Sequence, residues 1–353
     1  MIGSMRAAVY RGVNRVCVEE IEVPQIGPRE VLVRVAACGV CGTDLKKIHY
    51  GLVPPPRIFG HETAGTIAAV GAEVAGWAVG DRVVVNHHVP CLSPDCFFCR
   101  RRAFSQCPTY KQTGTTAGFE PSGGGFAEYV RVLDWCVNGG MVGIPDGVTF
   151  EEASFVEPLN TVLKGVERAG VQAGDTALVI GQGPIGLLFT QVARLKGARV
   201  VATDRLDYRL EISRRLGADA AINPDTEDVS AAIRMLSEGR GADLAVVAVP
   251  TTRVVAQAFA AVRPAGKVLL FAQTRLNDLL EVDAGAVCMQ EKALLGSYSS
   301  DITLQPQAAD LIFHRRVDVR ALISHRFGLD AIAEAFDLAA HPRENSLKVV
   351  VMP

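Results

Sequence analysis

The chain has 353 residues, 49% of them hydrophobic, and 36 lysines and arginines against 38 acids leave a formal net charge of -2. That length suits two cores in one polypeptide, and the near-neutral balance excludes a basic arm, so no nucleic-acid partner is expected. No apolar run reaches the ~18 residues that cross a bilayer and Met1 to Arg11 lacks the charged-then-apolar build of a secretory leader, so a cytoplasmic protein with no membrane partner is expected.

From Arg6 to about Val132, short alternating stretches such as Glu30 to Val35 and Asp81 to Val85 are punctuated by Gly and Pro. That pattern predicts an antiparallel β-rich domain. After Glu157 the period switches. Near-continuous apolar strands at Thr176 to Ile180, Arg199 to Thr203, Asp243 to Val249 and Lys267 to Phe271 alternate with helical patterns at Pro184 to Lys196, Asp207 to Leu216, Val229 to Glu238 and Thr252 to Val262. Strands apolar on both faces, separated by helices, predict a buried, doubly wound parallel sheet. Beyond about Gly296 the regularity ends, until a helical run from Leu329 to Ala340 leads into a last strand, Leu347 to Val351. The fold class expected is therefore α/β, a β-rich domain plus a parallel-sheet domain, over residues 1–157, 158–296 and a returning tail, 297–353.

Nine cysteines in a chain of this size, with no leader, point to metal binding or catalysis rather than disulfides. Cys91, Cys96, Cys99 and Cys107 crowd into seventeen residues, whereas Cys17, Cys136 and Cys288 stand alone as core residues would. Cys41 is followed at a distance by Gly60-His61-Glu62. A thiolate, an imidazole and a carboxylate brought together would make an open zinc site, where three protein ligands leave a position for water or substrate. Cys38-Gly39-Val40-Cys41 also matches a dithiol redox spacing, but that motif belongs at a helix start in a small βαβ domain, not after a β-rich run.

Gly181-Gln182-Gly183-Pro184-Ile185-Gly186 follows an apolar strand and opens a helix. In that context Gly181 gives the tight turn, Gly183 lets the backbone approach a pyrophosphate and Gly186 allows close helix packing, with Pro184 and Ile185 opening the helix at the phosphates. Asp204, eighteen residues after Gly186, ends the next strand, where an acid would accept hydrogen bonds from the adenosine ribose and repel a 2′-phosphate. NAD is favoured over NADP. Arg205 beside it would accommodate such a phosphate, or would simply be solvated.

Taken in order, Cys41-Gly42-Thr43-Asp44, Gly60-His61-Glu62, the four-cysteine lobe, Glu157-Pro158-Leu159 and Gly181 to Gly186 resemble the zinc-dependent medium-chain dehydrogenase/reductase superfamily over essentially the whole chain. Glu157-Pro158-Leu159 is similar to its sorbitol and threonine dehydrogenase branch. The resemblance implies a split, GroES-like catalytic domain with a Rossmann domain inserted and a cleft between them. It places catalytic zinc on Cys41 and His61, with Glu62 and Glu157 sharing the remaining role. It implies that the Thr43 hydroxyl passes on the alcohol proton and that Asp44 orients the ligating imidazole, although a helix N-cap is an alternative for Asp44. Lys46 stands where relatives often carry a relay histidine, and His49 follows three residues later. In the lobe, Ser93 occupies the position of the first structural-zinc ligand, so Cys91 would complete the set with Cys96, Cys99 and Cys107; a three-sulfur or metal-free lobe is the alternative.

The activity implied is oxidation of a secondary alcohol, in a polyol, sugar alcohol or related compound, to a ketone by hydride transfer to NAD. Gly296 to Ser300 lacks the basic residue of sorbitol dehydrogenases, and Lys46 with Arg57 would suit a sugar phosphate. An amino-alcohol substrate, a zinc-free NADPH reductase and a non-catalytic NAD-binding scaffold are the other readings. A homodimer or homotetramer is implied by the same resemblance.

Overall fold

The structure, a computed structural model, describes residues 3–113, 123–274, 277–343 and 345–353, the side chains of 111–113 apart. The chain divides into two compact units, residues 1–160 with 300–353, and residues 161–299.

The first unit is β-rich. A seven-stranded sheet runs in the order Ile323–Phe327, Lys348–Val351, Val31–Gly39, Glu62–Val70, Arg82–Val85 and Met141–Gly143, with Tyr129–Val132 also paired to Val31–Gly39. A smaller sheet joins Arg15–Glu22, Ser4–Gly12 and Arg57–Ile58. In the central strand Val31, Leu32, Val33 and Val35 are buried while Arg34 is exposed. The sheet register then aligns chain segments that are far apart in sequence. Gly39 pairs with Glu62, Thr63 with Val85, and Val350 with Gly39. Residues at or just past those strand ends, including Cys41, His61, His88 and Lys348, are thereby gathered at one end of the sheet.

The second unit is a six-stranded parallel sheet in the order Ala220–Ile222, Arg199–Thr203, Thr176–Ile180, Ala242–Val247, Val262–Leu270 and Ala293–Gly296. Numbered along the chain within this sheet, the order is 3-2-1-4-5-6, the doubly wound arrangement of dinucleotide-binding domains. Its strands are apolar on both faces because helices such as Pro184–Leu195 and Thr252–Ala261 cover them.

Two parts of the chain differ from the sequence reading. The strand Val262–Leu270 begins before Lys267, its first half hidden in sequence by Pro264-Ala265-Gly266, with Ala265 at φ 58. Regular structure also continues past Gly296: a helix spans Gln305–Phe313 and a strand Ile323–Phe327. The helix buries Ala308, Ala309, Leu311 and Ile312, and the strand lies at a sheet edge where His325 and Arg326 break the apolar pattern. The run from Leu329 to Ala340 is one 3-10 turn, Leu329–Ala331, followed by a helix, Ile332–Ala340. No helix among the described residues is long and apolar enough to cross a membrane.

Candidate functional site

Cys41 caps the helix Gly42–Tyr50, its sulfur accepting the Thr43 N–H at 3.5 Å. Because Cys41 is the cap, Asp44 is the third helical residue and not an N-cap. Asp44 is completely buried, with Oδ1 3.1 Å from His61 Nδ1. Cys41 Sγ, a ring nitrogen of His61 and a carboxylate oxygen of Glu62 all lie within 4.8 Å of one another. Sulfur, nitrogen and oxygen donors at that spacing fit one zinc ion with open coordination positions.

Charge at this end of the sheet is compensated group by group. Burial opposes ionisation of His61, but the Asp44 carboxylate and the Cys41 thiolate outweigh it and hold the imidazole pKa well above its ordinary value. Asp44 is lowered despite burial, by His61.

Glu62 and Glu157 have different surroundings. Glu62, in the donor cluster, also forms a buried ion pair with Lys348, whose Nζ donates to the Val40 carbonyl at 3.0 Å as well. Burial and the neighbouring Glu157 raise the Glu62 pKa, against the pull of Lys348. Glu157, in the first turn of the helix Val156–Ala169, faces His88, with 3.5 Å between Oε1 and Nδ1. Burial opposes its charge, but His88 and His61 lower its pKa overall. Lys348 and His88 were not singled out in the sequence. The available signals were a lone lysine inside the apolar run Leu347 to Val351 and a histidine pair just past an apolar strand.

Cys38 does not pair with Cys41. It is buried in the strand Val31–Gly39, 3.7 Å from Thr63 Oγ1, and burial pushes its thiol to about 12. His49 is exposed and bonded to Asn14 at 3.1 Å. Arg57 donates to the Pro54 carbonyl, and burial lowers the pKa of half-buried Lys46.

In the lobe, the sulfurs of Cys91, Cys96, Cys99 and Cys107 lie within 4.8 Å of one another. Pro94 and Asp95 lie in a turn in which the Ser93 carbonyl accepts the Cys96 N–H at 3.1 Å, and the four sulfurs converge. Against burial, backbone N–H groups of Cys91 and Tyr110 bring Cys107 down to about 6, whereas burial and its thiol neighbours push Cys99 up to about 12. Four thiols so placed fit a closed, structural zinc site.

In the second unit, Gly181 has φ 91, and a Cβ on Gly186 would fall 1.7 Å from the Gly181 carbonyl oxygen, so both positions require glycine. Gly183 stands as the cap of the helix Pro184–Leu195, with no side-chain capping bond and Pro184 in the first turn, leaving backbone donors free for an anion. Ile185 is half-buried at the same helix start. Asp204 Oδ2 accepts the Gln182 N–H at 2.6 Å, and Oδ1 accepts the Leu206 N–H at 3.0 Å. Arg209 approaches the same carboxylate at 3.6 Å, while Arg205 is exposed and paired with Asp225. A cavity of about 740 Å³ is lined by Gly181, Asp204, Arg205 and Arg209 among others.

Comparison with known proteins agrees with both halves of this description. Residues 27–143 match the family described as Alcohol dehydrogenase GroES-like domain, and residues 184–314 match Zinc-binding dehydrogenase. A sorbitol dehydrogenase of Bacillus subtilis is 30% identical over 99% of this chain and 98% of its own. An L-threonine 3-dehydrogenase of Pyrococcus abyssi is 32% identical over 90% of each. A chain assigned as a zinc-binding dehydrogenase from Sinorhizobium meliloti 1021, solved with NADP, superposes with a TM-score of 0.89 at 29% identity, covering 99% of this chain and 100% of its own.

The chain belongs to the zinc-dependent medium-chain dehydrogenases. Within them it falls in the sorbitol and threonine dehydrogenase branch, oxidoreductases that act on CH–OH groups with zinc and a nicotinamide dinucleotide.

Proposed function

We propose that the chain oxidises a secondary alcohol of a polyol, sugar alcohol or related hydroxy compound to a ketone, passing hydride to NAD. The observation that carries this reading is the Cys41, His61 and Glu62 donor set backed by buried Asp44. Zinc held there would polarise the substrate hydroxyl as a Lewis acid and ease its deprotonation near neutral pH.

The chain's own groups take the other roles. Asp44 fixes the His61 ring so that its second nitrogen faces the cluster. Glu62 is the oxygen donor of the set, and Lys348 balances its charge in the absence of metal. Glu157, turned to His88, is the second carboxylate that modulates the site. Thr43, on the first turn beside Cys41, passes the alcohol proton toward solvent. Gly181 to Gly186 and the start of the helix Pro184–Leu195 receive the pyrophosphate. Asp204 is the group on which the preference for NAD rests, and the NADP carried by the Sinorhizobium protein makes that preference the point to measure. Cys91, Cys96, Cys99 and Cys107 hold a second, structural zinc. We further propose a cytoplasmic homo-oligomer.

The test is zinc content per subunit together with NAD and NADP turnover across a panel of polyols, simple alcohols and sugar phosphates. Two zinc ions per subunit and NAD reduction by polyols are expected. Turnover confined to long-chain primary alcohols would contradict the substrate class.

A further inference from the structure

The four-cysteine lobe and Glu157 are far apart in sequence, yet one short segment joins them. Asn160 is the last residue of the first unit before the chain leaves it, and Ser300 is the first after the chain returns. The Asn160 side chain is fully buried and makes two hydrogen bonds to a single residue of the returning segment. Nδ2 donates to the Asp301 carbonyl at 3.0 Å, and Oδ1 accepts the Asp301 N–H at 2.9 Å. Asp301 in turn caps the 3-10 turn Ile302–Leu304, its Oδ1 accepting the Thr303 N–H at 2.9 Å and the Thr303 hydroxyl at 2.7 Å.

That turn is seated on the lobe. Ile302 packs against the cluster of Cys99, Phe104, Cys107 and Tyr110, and Arg102, three residues past Cys99, donates to Thr303 Oγ1 at 2.9 Å. Lobe, turn, Asp301 and Asn160 are thus joined by direct contacts inside one unit.

Glu157 stands at the other end. Asn160 follows it by three positions in the helix Val156–Ala169, so the two residues are neighbours on the helix surface. Glu157 lies in the first turn, where a helix is held least by its own hydrogen bonds. A second route from the lobe reaches the same carboxylate: Tyr110 stacks on His88 at 5.3 Å, and His88 Nδ1 is 3.5 Å from Glu157 Oε1. A buried amide with both its bonds made admits one geometry and not several, so the clamp at Asn160 transmits the place of the turn to the helix.

We propose that Asn160 is a positioning residue that holds Glu157 in place by tying its helix to the four-cysteine lobe, so that the lobe governs the rate of the reaction as well as the stability of the fold. This rests on Glu157 acting as a carboxylate of the alcohol-oxidising site proposed above. Chains of packed side chains and hydrogen bonds carry such coupling, and a double-mutant cycle measures it.

The test uses the zinc-loaded full chain, the variants N160A and I302A, one on each side of the turn, and each of these combined with E157Q. Values of kcat and KM are measured with NAD and the alcohol that the parent oxidises fastest. Each single variant should lower kcat by about tenfold, the size expected for one or two lost contacts, with KM changed by less than about twofold. In the E157Q background the further loss should shrink to less than about twofold, because the group acted through is already gone. N160D keeps the acceptor for the Asp301 N–H and should recover part of the rate. Equal losses with and without E157Q overturn the proposal and leave Asn160 as a staple for the returning chain. I302A decides the matter should N160A fail to fold. Independently of turnover, hydrogen exchange read by mass spectrometry should show the first-turn amides of the helix Val156–Ala169 exchanging about tenfold faster in I302A than in the parent. Unchanged exchange there overturns the proposal, and this readout decides it if E157Q is inactive. Should the parent oxidise no alcohol, the alcohol-oxidising reading falls and takes this role of Glu157 with it, whereas additive losses in an active enzyme overturn this proposal alone.

Discussion

Asp44 and His61, seventeen positions apart in sequence, meet through Oδ1 and Nδ1 at 3.1 Å with both side chains buried. The contact fixes which imidazole nitrogen is free. If Nδ1–H is donated to Asp44, the other nitrogen would be the one available to a metal. Helix position makes this possible: Cys41 caps the helix, so Asp44 comes one turn along, on the side facing the strand that starts at Glu62.

Asp44→Ala should therefore weaken zinc binding by about 10- to 100-fold, the usual loss when such a supporting carboxylate is removed. Competition with a chromogenic chelator measures it. Unchanged affinity would mean that Asp44 serves the fold and not the metal.

The buried pair of Lys348 and Glu62 gives a second expectation. Lys348→Met leaves the Glu62 carboxylate buried without its cation, which should cost the metal-free protein about 3–5 kcal/mol in a urea unfolding experiment. In the zinc-loaded protein the metal supplies a positive charge, so the cost should be smaller. The double variant K348M/E62Q should recover most of the loss in the metal-free form. Equal costs with and without zinc would show that Glu62 does not sense the metal.

Asp204 performs two tasks at once, since the carboxylate that would meet a ribose already anchors the glycine turn through the Gln182 N–H. Asp204→Ala should raise the ratio of NADP to NAD turnover by about tenfold, because a charged hydrogen-bond acceptor is lost for NAD and a repulsion is removed for NADP. Steady-state kcat/KM with each coenzyme reads it directly. An unchanged ratio would remove Asp204 from coenzyme selection and leave it as a turn anchor.

The glycine fingerprint and the strands around it were legible in the sequence because each is local: Thr176–Ile180 and Arg199–Thr203 begin and end where the apolar runs do. Cys41 and His61 were legible as ligand types. Lys348 and His88 were not, because their roles depend on strand order. Only the pairing of Val350 with Gly39, and of Gly39 with Glu62, brings a lysine near the C-terminus to a carboxylate almost three hundred residues earlier. The helix Gln305–Phe313 was missed for a different reason, a short apolar face that opens with a proline. Between Glu62 and Glu157 the sequence offered no distinction, since the difference lies in which basic group each one faces.

The most direct test is zinc content and alcohol-dependent NAD reduction measured together on the parent chain and on Cys41→Ser. The parent should carry two zinc ions per subunit and reduce NAD with a polyol. Cys41→Ser should retain one zinc and bind NAD normally, with turnover lost. A Cys41→Ser protein that keeps both zinc ions and its turnover would contradict the assignment of the metal to Cys41, His61 and Glu62.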